Sequence, residues 1–182
     1  MTKIRFRFDP DKLVAALTLL ASRVPDLDVM KSLKLLYFAD KAHLLKYGRP
    51  ILGDDYYGMA YGPVPSVSYD IIKTAFGGQT PLVATLSEYL DVDSTGPHPT
   101  FRAKRAPDMD AFSASDVEIL EQTIEKYGDK DARELRRLAH EEPEIKLADE
   151  ELAKHRRLRV DLPYDAFFGP NDKQMLAVVE HP

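Results

Sequence analysis

The sequence predicts a mainly α-helical, compact domain with a small antiparallel β-ribbon, an α+β arrangement. Apolar residues recur at helical spacing along most of the chain, and prolines, glycines and capping residues separate these segments. Only two short segments have strand character. With 182 residues, of which 44% are hydrophobic, the chain is long enough to bury the core of one domain.

The first two helices have the clearest boundaries. Asp9 and Pro10 supply an N-cap and a first helical residue, and leucines at helical spacing continue this helix to about Arg23. Asp28 can cap a longer second helix, which Gly48 ends because glycine accepts the left-handed conformation common after a helix. Four residues on the apolar faces of helices are expected in the core: Leu36, Tyr37, Leu44 and Leu120.

The two segments with strand character are residues 56–60 and 100–105. Neither can satisfy its backbone groups alone, so we expect them to pair as the antiparallel ribbon. Pro63 follows the first segment and is expected to end any strand there, because proline removes a donor from the ladder.

Further helices follow the turn that contains Pro63. The next is expected to stop at Gly77-Gly78, and Ser113 with Asp116 forms the pattern of a capping box. A final helix is expected in the tail after residue 170. Between the second and the final helix, the predicted helices lie at about 66–76, 82–90, 113–127, 131–140 and 143–152. The first of these is the helix expected to stop at Gly77-Gly78, and Phe76 lies on its apolar side.

Composition excludes several classes of function. Thirty acidic residues against 25 basic ones give a net charge of −5, which disfavours a general nucleic-acid coat. Cysteine is absent, so disulfides, thiol nucleophiles and cysteine-ligated zinc are excluded. No segment approaches the roughly 18 apolar residues of a membrane span, and the amino terminus lacks the core of a signal peptide. We expect a soluble protein of the reducing cytoplasm.

Two histidines are candidates for chemistry. Asp40 and His43 lie three residues apart on one helix, and His140 is followed by Glu141 on another, so a metal or acid–base site is conceivable. This spacing is generic, and no third ligand is evident. The alternative, which we favour, is a structural His43 bonded to a backbone carbonyl or a tyrosine. We therefore predict no catalytic residue, no metal and no cofactor.

Two surface features are candidates for partner binding. The turn Tyr61-Gly62-Pro63-Val64 combines a tyrosine with a rigid backbone, and it is equally well explained as an interface or as a fixed chain reversal. The basic run at 154–159 could contact phosphates, but it also fits the solvated end of a helix preceded by acidic residues.

Two blocks of motifs occur in order between about residues 28 and 150. The first holds KLLYFAD at 34–40, His43, YGRP at 47–50, GD at 53–54, YGPVP at 61–65 and Tyr69; the second holds SD at 115–116, YG at 127–128, EL at 134–135 and His140. Together they resemble the Panacea domain, the SocA-like antitoxin domain of type II toxin–antitoxin and phage-associated proteins. The family commonly has an aromatic residue soon after the second histidine, where this chain has Glu144 and Ile145.

The resemblance implies a non-enzymatic antitoxin that binds a cognate protein toxin, encoded by an adjacent gene, and neutralises it directly. It also implies a domain at 1–160 with a helical appendage at 161–182, and leaves open a role for a cellular protease. The alternatives are a phage-associated or regulatory nucleic-acid-binding protein and a histidine-dependent enzyme. The matching motif or partner-binding residues are Lys34, Tyr37, His43, Tyr47, Arg49, Tyr61, Gly62, Pro63, Val64, Tyr69 and His140.

Overall fold

The structure is a computed structural model that describes residues 4–75, 81–96, 98–169 and 171–180. Within these ranges the chain is mainly helical, with two small antiparallel sheets, which confirms the predicted fold class. The helices are α1 Pro10–Arg23, α2 Val29–Tyr47, α3 Ser66–Ala75, α4 Pro81–Tyr89, α5 Ala114–Tyr127, α6 Ala132–Glu141, α7 Pro143–His155 and α8 Lys173–Glu180. The strands are β1 Tyr56–Met59, β2 Gly62–Pro65, β3 Leu90–Asp93, β4 Thr100–Ala103 and β5 Arg159–Leu162.

Four predicted helix starts, those of α1, α2, α5 and α6, are confirmed by their capping residues, whereas α8 begins after Asp172 and not after the expected cap Asn171. The side chains of Asp9, Asp28 and Asp131 each accept a backbone N–H of the helix that follows. Ser113 and Asp116 form the capping box of α5, and Gly48 ends α2 with φ of 74°. The predicted end of α3, at Phe76 and Gly77-Gly78, lies outside the described residues.

The predicted pairing of 56–60 with 100–105 is wrong. Strand β1 pairs with β2 in a hairpin and with β5 on its other side, whereas β4 pairs with β3 in a separate ribbon. The prediction missed strand β3, whose first residue Leu90 it placed at the end of a helix, and strand β5, whose first residue Arg159 it placed at the end of the basic run. A local hairpin also loses less chain entropy on closing than a pairing across 40 residues.

The expectation that Pro63 ends any strand is also wrong. Pro63 is the second residue of β2, opposite Gly58. The sheet order is β2-β1-β5, so β2 is an edge strand, where the missing N–H of a proline costs no ladder bond.

Helix α2 is the centre of the domain. Every residue from 31 to 40 is buried, because α1, α3, α5, α6 and β2 pack around this helix. The four predicted core residues Leu36, Tyr37, Leu44 and Leu120 are all buried. Polar side chains on α2 must therefore find their partners inside the domain. Among the described residues, no helix is long and apolar enough to cross a membrane.

Candidate partner-binding site

The β1–β2 hairpin presents one exposed tyrosine at its tip. Tyr61 is 61% exposed, whereas the residues of β2 that follow it are buried. The Arg136 guanidinium of α6 lies 4.5 Å from the centre of the Tyr61 ring and donates a hydrogen bond of 2.8 Å to the Ala60 carbonyl. The tip therefore carries an aromatic ring whose position is fixed by a neighbouring helix.

A buried lysine supports the hairpin from below. Lys34 is fully buried in α2, and its ammonium donates a hydrogen bond of 2.7 Å to the Pro63 carbonyl. Burial, with the nearby Arg136 guanidinium adding to the effect, lowers the pKa of Lys34 to about 7. Gly62 has φ of +89°, and a Cβ there would lie 3.3 Å from Lys34 Cε. A side chain at position 62 would therefore be strained.

His140 completes this cluster. Its Nδ1 donates to Asp149 Oδ2 at 2.7 Å, so the ring is oriented by a carboxylate of α7. The other nitrogen, Nε2, is buried without a hydrogen-bond partner among the described residues, and it lies 3.6 Å from the position of a Cβ at Gly62. The fold therefore brings together Lys34, Gly62, Pro63 and His140 from the predicted set.

A second polar site gathers at the beginning of α5. Asp116 is fully buried, and its Oδ1 lies 3.1 Å from His43 Nε2 and 2.9 Å from Arg49 Nη2. Lys12 of α1 donates to Asp116 Oδ2 at 2.7 Å. Burial acts to raise the pKa of Asp116, but the contacts from His43 and Lys12 outweigh it and hold that pKa well below its usual range.

His43 has a structural environment. Its Nδ1–H donates to the Arg49 carbonyl at 2.6 Å, which matches the backbone-bonded alternative favoured from the sequence. Asp40 faces other groups: it accepts from Ile51 N, Leu52 N and the Tyr56 hydroxyl, each at 2.9 Å. Among the described residues, no three histidine or carboxylate side chains are grouped as metal ligands.

The remaining predicted residues are separate from these clusters. Tyr47 is partly exposed and donates to Glu118 at the edge of the Asp116 site. Tyr69 is half-buried on α3, with Lys73 Nζ 5.8 Å from its ring centre. Tyr37 is buried in the core and donates to Glu144.

The pair Tyr37–Glu144 explains the chain's departure from the common family pattern. Glu144 is buried, and it accepts from Tyr37 and, at 2.7 and 2.9 Å, from Lys41 Nζ. Burial and the Glu144 carboxylate raise the pKa of Tyr37 well above its usual value. A polar contact from α2 to α7 therefore occupies this position.

The outer face of the sheet adds a second pair of an arginine and a tyrosine. Tyr57 and Asp161 are directly opposite, as are Met59 and Arg159, so these side chains share one face. The Arg159 guanidinium lies 4.5 Å from the Tyr57 ring centre. We call Tyr57, Tyr61, Arg136 and Arg159 the hairpin surface.

Sequence reasoning did not single out Arg136 or Arg159. One signal was available for Arg136, because it precedes His140 by four residues and shares its helix face. Arg159 belonged to the predicted basic run, but its stacking on Tyr57 depends on a strand pairing between residues about 100 positions apart.

The comparisons with known proteins bear on the same region. A family model described as "Antitoxin SocA-like, Panacea domain" matches residues 33–144, from α2 to the beginning of α7. No curated protein and no solved structure matches the chain. The matched span includes the Lys34 cluster and, of the Asp116 site, Asp116 with His43 and Arg49 but not Lys12, and it covers well over half of the sequence. The chain therefore belongs to the antitoxin SocA-like, Panacea domain family.

Proposed function

We propose that this protein is the antitoxin of a type II toxin–antitoxin system, and that it neutralises a cognate protein toxin in the cytoplasm by direct binding. The toxin is the product of an adjacent gene, and no catalytic step is needed. Family membership supports the antitoxin role, and the absence of cysteine fits a reducing compartment.

The observation that carries the proposal is the exposed ring of Tyr61 on a fixed hairpin. Tyrosine and arginine are enriched among the residues that dominate binding energy, and a preorganised side chain loses little entropy on docking. Tyr61 is a residue of this type, and its position is preorganised because Arg136 donates a hydrogen bond to the hairpin tip and Lys34 donates one to strand β2. Tyr69 is half-buried on α3, the helix that follows β2, and we expect it to contribute less than Tyr61.

Co-expression tests the proposal. The neighbouring gene product is expected to arrest growth, and this protein to restore it. Tyr61→Ala should weaken rescue strongly and Tyr69→Ala less, while circular dichroism and thermal unfolding remain close to wild type. Leu147→Ala is the matched control, because Leu147 is 63% exposed on α7 and is not part of the hairpin surface. Full rescue by both tyrosine variants would exclude this surface, and a harmless neighbour would exclude the antitoxin role.

A regulatory nucleic-acid-binding function is the second candidate. Residues 154–159 are largely exposed, and Arg156 takes a left-handed backbone conformation with φ of 49° where α7 ends. Retention of the purified protein on duplex DNA, lost as salt is raised, would favour this function. Co-purification with the neighbouring gene product, with or without a cellular protease, would favour the antitoxin.

A further inference from the structure

We propose that the hairpin surface binds an acidic segment of the toxin, with carboxylates seated against Arg136 and Arg159; the inference rests on the proposed function. It adds the chemistry of the partner, which neither the family nor the exposed tyrosine specifies.

The first step is the hydrogen-bonding capacity of the two guanidiniums. A guanidinium has five N–H donors. Arg136 uses one of its nitrogens for the Ala60 carbonyl, and Arg159 makes no side-chain hydrogen bond to any described residue. Neither has a carboxylate within 4 Å in the described part of the chain. Both therefore retain the forked donors that recognise a carboxylate.

Some other surface arginines of this chain do have acidic partners. Arg23 donates to Glu121 through both terminal nitrogens, and Arg102 lies 2.7 Å from Asp93. On α6 itself, Arg137 pairs with Glu141 one turn along, whereas exposed Arg133 and Arg136 have no such partner among the described residues. Arg136 and Arg159 therefore have no ion pair within the described residues, although the net charge of the chain is −5.

The second step is the arrangement of the two pairs on one sheet. Arg136 lies over Tyr61 at the tip that leads into β2, and Arg159 begins β5. Strand β1 separates β2 from β5, so about 10 Å lie between the two flanking strands. Two carboxylates on one extended segment of about three or four residues span that distance.

The same features disfavour a nucleic acid at this surface. Single strands bind by stacking bases on open aromatic faces, but each of these tyrosines already has one face covered by its own arginine. Asp161 shares the outer face with Tyr57, and Asp149 lies beside His140, so carboxylates are interspersed where a phosphate backbone would lie. A discrete carboxylate fits between such groups better than a continuous polyanion does.

The experiment measures the affinity of the purified neighbouring gene product for the full chain at about 50 mM and about 500 mM sodium chloride. Arg159→Gln and Arg136→Gln are each expected to weaken binding about tenfold at low salt, with a smaller loss at high salt. Arg159→Lys should recover only part of the affinity, because an ammonium lacks the fork. Arg23→Gln is the matched control and should bind within about twofold of wild type.

The outcomes separate the two proposals. If the wild-type chain does not bind the neighbouring product, the antitoxin proposal fails and the inference fails with it. If wild type binds but Arg159→Gln binds equally well at both salt concentrations, only the acidic-segment inference is overturned. Arg159→Gln is the decisive variant, because Arg136 also holds the Ala60 carbonyl and its loss can move the hairpin. Binding of a duplex DNA probe that competes with the toxin and disappears in Arg159→Gln would also overturn the inference.

Discussion

Two buried polar sites lie against helix α2, and they balance their charges differently. At the Asp116 site one carboxylate is surrounded by Lys12, His43 and Arg49, which come from α1, α2 and the loop after α2. Lys34 is equally buried, and within the described residues its ammonium has only the Pro63 carbonyl as a hydrogen-bond acceptor, with Arg136 as a nearby like charge. We call the Asp116 site compensated, because basic groups surround its carboxylate, and this site joins helices. We call the Lys34 site uncompensated, and this site supports the exposed hairpin.

The difference teaches where this domain is rigid and where it is sensitive. A buried charge is costly unless it is paired and fully hydrogen-bonded. Asp116 is paired with Lys12 and Arg49 and lies 3.1 Å from His43, so removing it takes the carboxylate away from these basic groups. Lys34 does not meet that condition, and its ammonium is therefore close to losing its proton at neutral pH.

The largest expected effect is at the compensated site. Asp116→Ala should lower the free energy of unfolding by about 3–5 kcal/mol, because partly buried Lys12 loses its counter-ion, buried His43 loses a polar partner and α5 loses its capping box. Urea denaturation measures the loss. Glu118→Ala is the control two residues along, since Glu118 pairs with exposed Lys46 and should cost about 0–1 kcal/mol. Equal losses in both variants would show that the buried Asp116 contributes no more to stability than the exposed Glu118.

The next effect concerns the pH dependence of the uncompensated site. The pKa of Lys34 is about 7 in the folded protein against an ordinary 10.5, so the unfolded chain binds more protons between those values. This group should therefore make stability rise with pH above about 7, by up to about 1.4 kcal/mol per pH unit. Below pH 7 Lys34 is charged in both the folded and the unfolded chain, so the full cost of burying its charge lowers the free energy of unfolding.

Lys34→Met tests this dependence by keeping the length of the side chain without its charge. Urea denaturation between about pH 7 and pH 9 should show a smaller rise of stability with pH than in wild type. Lys146→Met, which alters an exposed lysine of α7, should retain the wild-type rise. Parallel pH curves for wild type and Lys34→Met would show that Lys34 stays charged in the fold.

A smaller effect is expected from Gly62→Ala. The left-handed backbone and the contact with Lys34 Cε should together cost about 1–2 kcal/mol, measured as a fall in thermal stability. Gly96→Ala is the control, because a Cβ there meets only the His98 carbonyl oxygen, at 3.7 Å. An unchanged melting temperature for Gly62→Ala would indicate that the hairpin relaxes around the methyl group.

The smallest expected effect is at the rim of the Asp116 site. Tyr47→Phe removes the hydroxyl that donates to Glu118, in an exposed position where such bonds contribute about 0–1 kcal/mol. Chemical denaturation should show a change within that range. A loss above about 2 kcal/mol would place Tyr47 inside the compensated network.

The sequence predicted the parts of the fold that depend on neighbouring residues. Asp9, Asp28 and Ser113 define helix starts because a cap bonds to the next turn of its own chain. Strand partners were not predictable in this way, because β1 meets β5 across about 100 residues and neither segment encodes the other. The hydrophobic pattern also could not show that α2 is buried on all sides.

The sequence named some residues of the candidate site, but it did not indicate which of them are in contact. Motif resemblance selected Lys34, Pro63 and His140, which the fold brings together. It did not indicate that Lys34 has no carboxylate partner in the described part of the chain, or that Tyr37 donates to Glu144 across 107 positions. Such pairs depend on the three-dimensional packing of helices that are distant in the sequence, which a linear pattern does not record.

The two prolines of β2 have a consequence for how the protein behaves when it is alone. Strand β2 lies at the border of its sheet, the kind of position where a second chain can add itself by backbone hydrogen bonds. Pro63 and Pro65 offer no N–H, and the Pro63 carbonyl is already occupied by Lys34. A second chain therefore cannot pair with the edge strand β2 through backbone hydrogen bonds. When the protein has no bound partner, this edge is protected from self-association and aggregation.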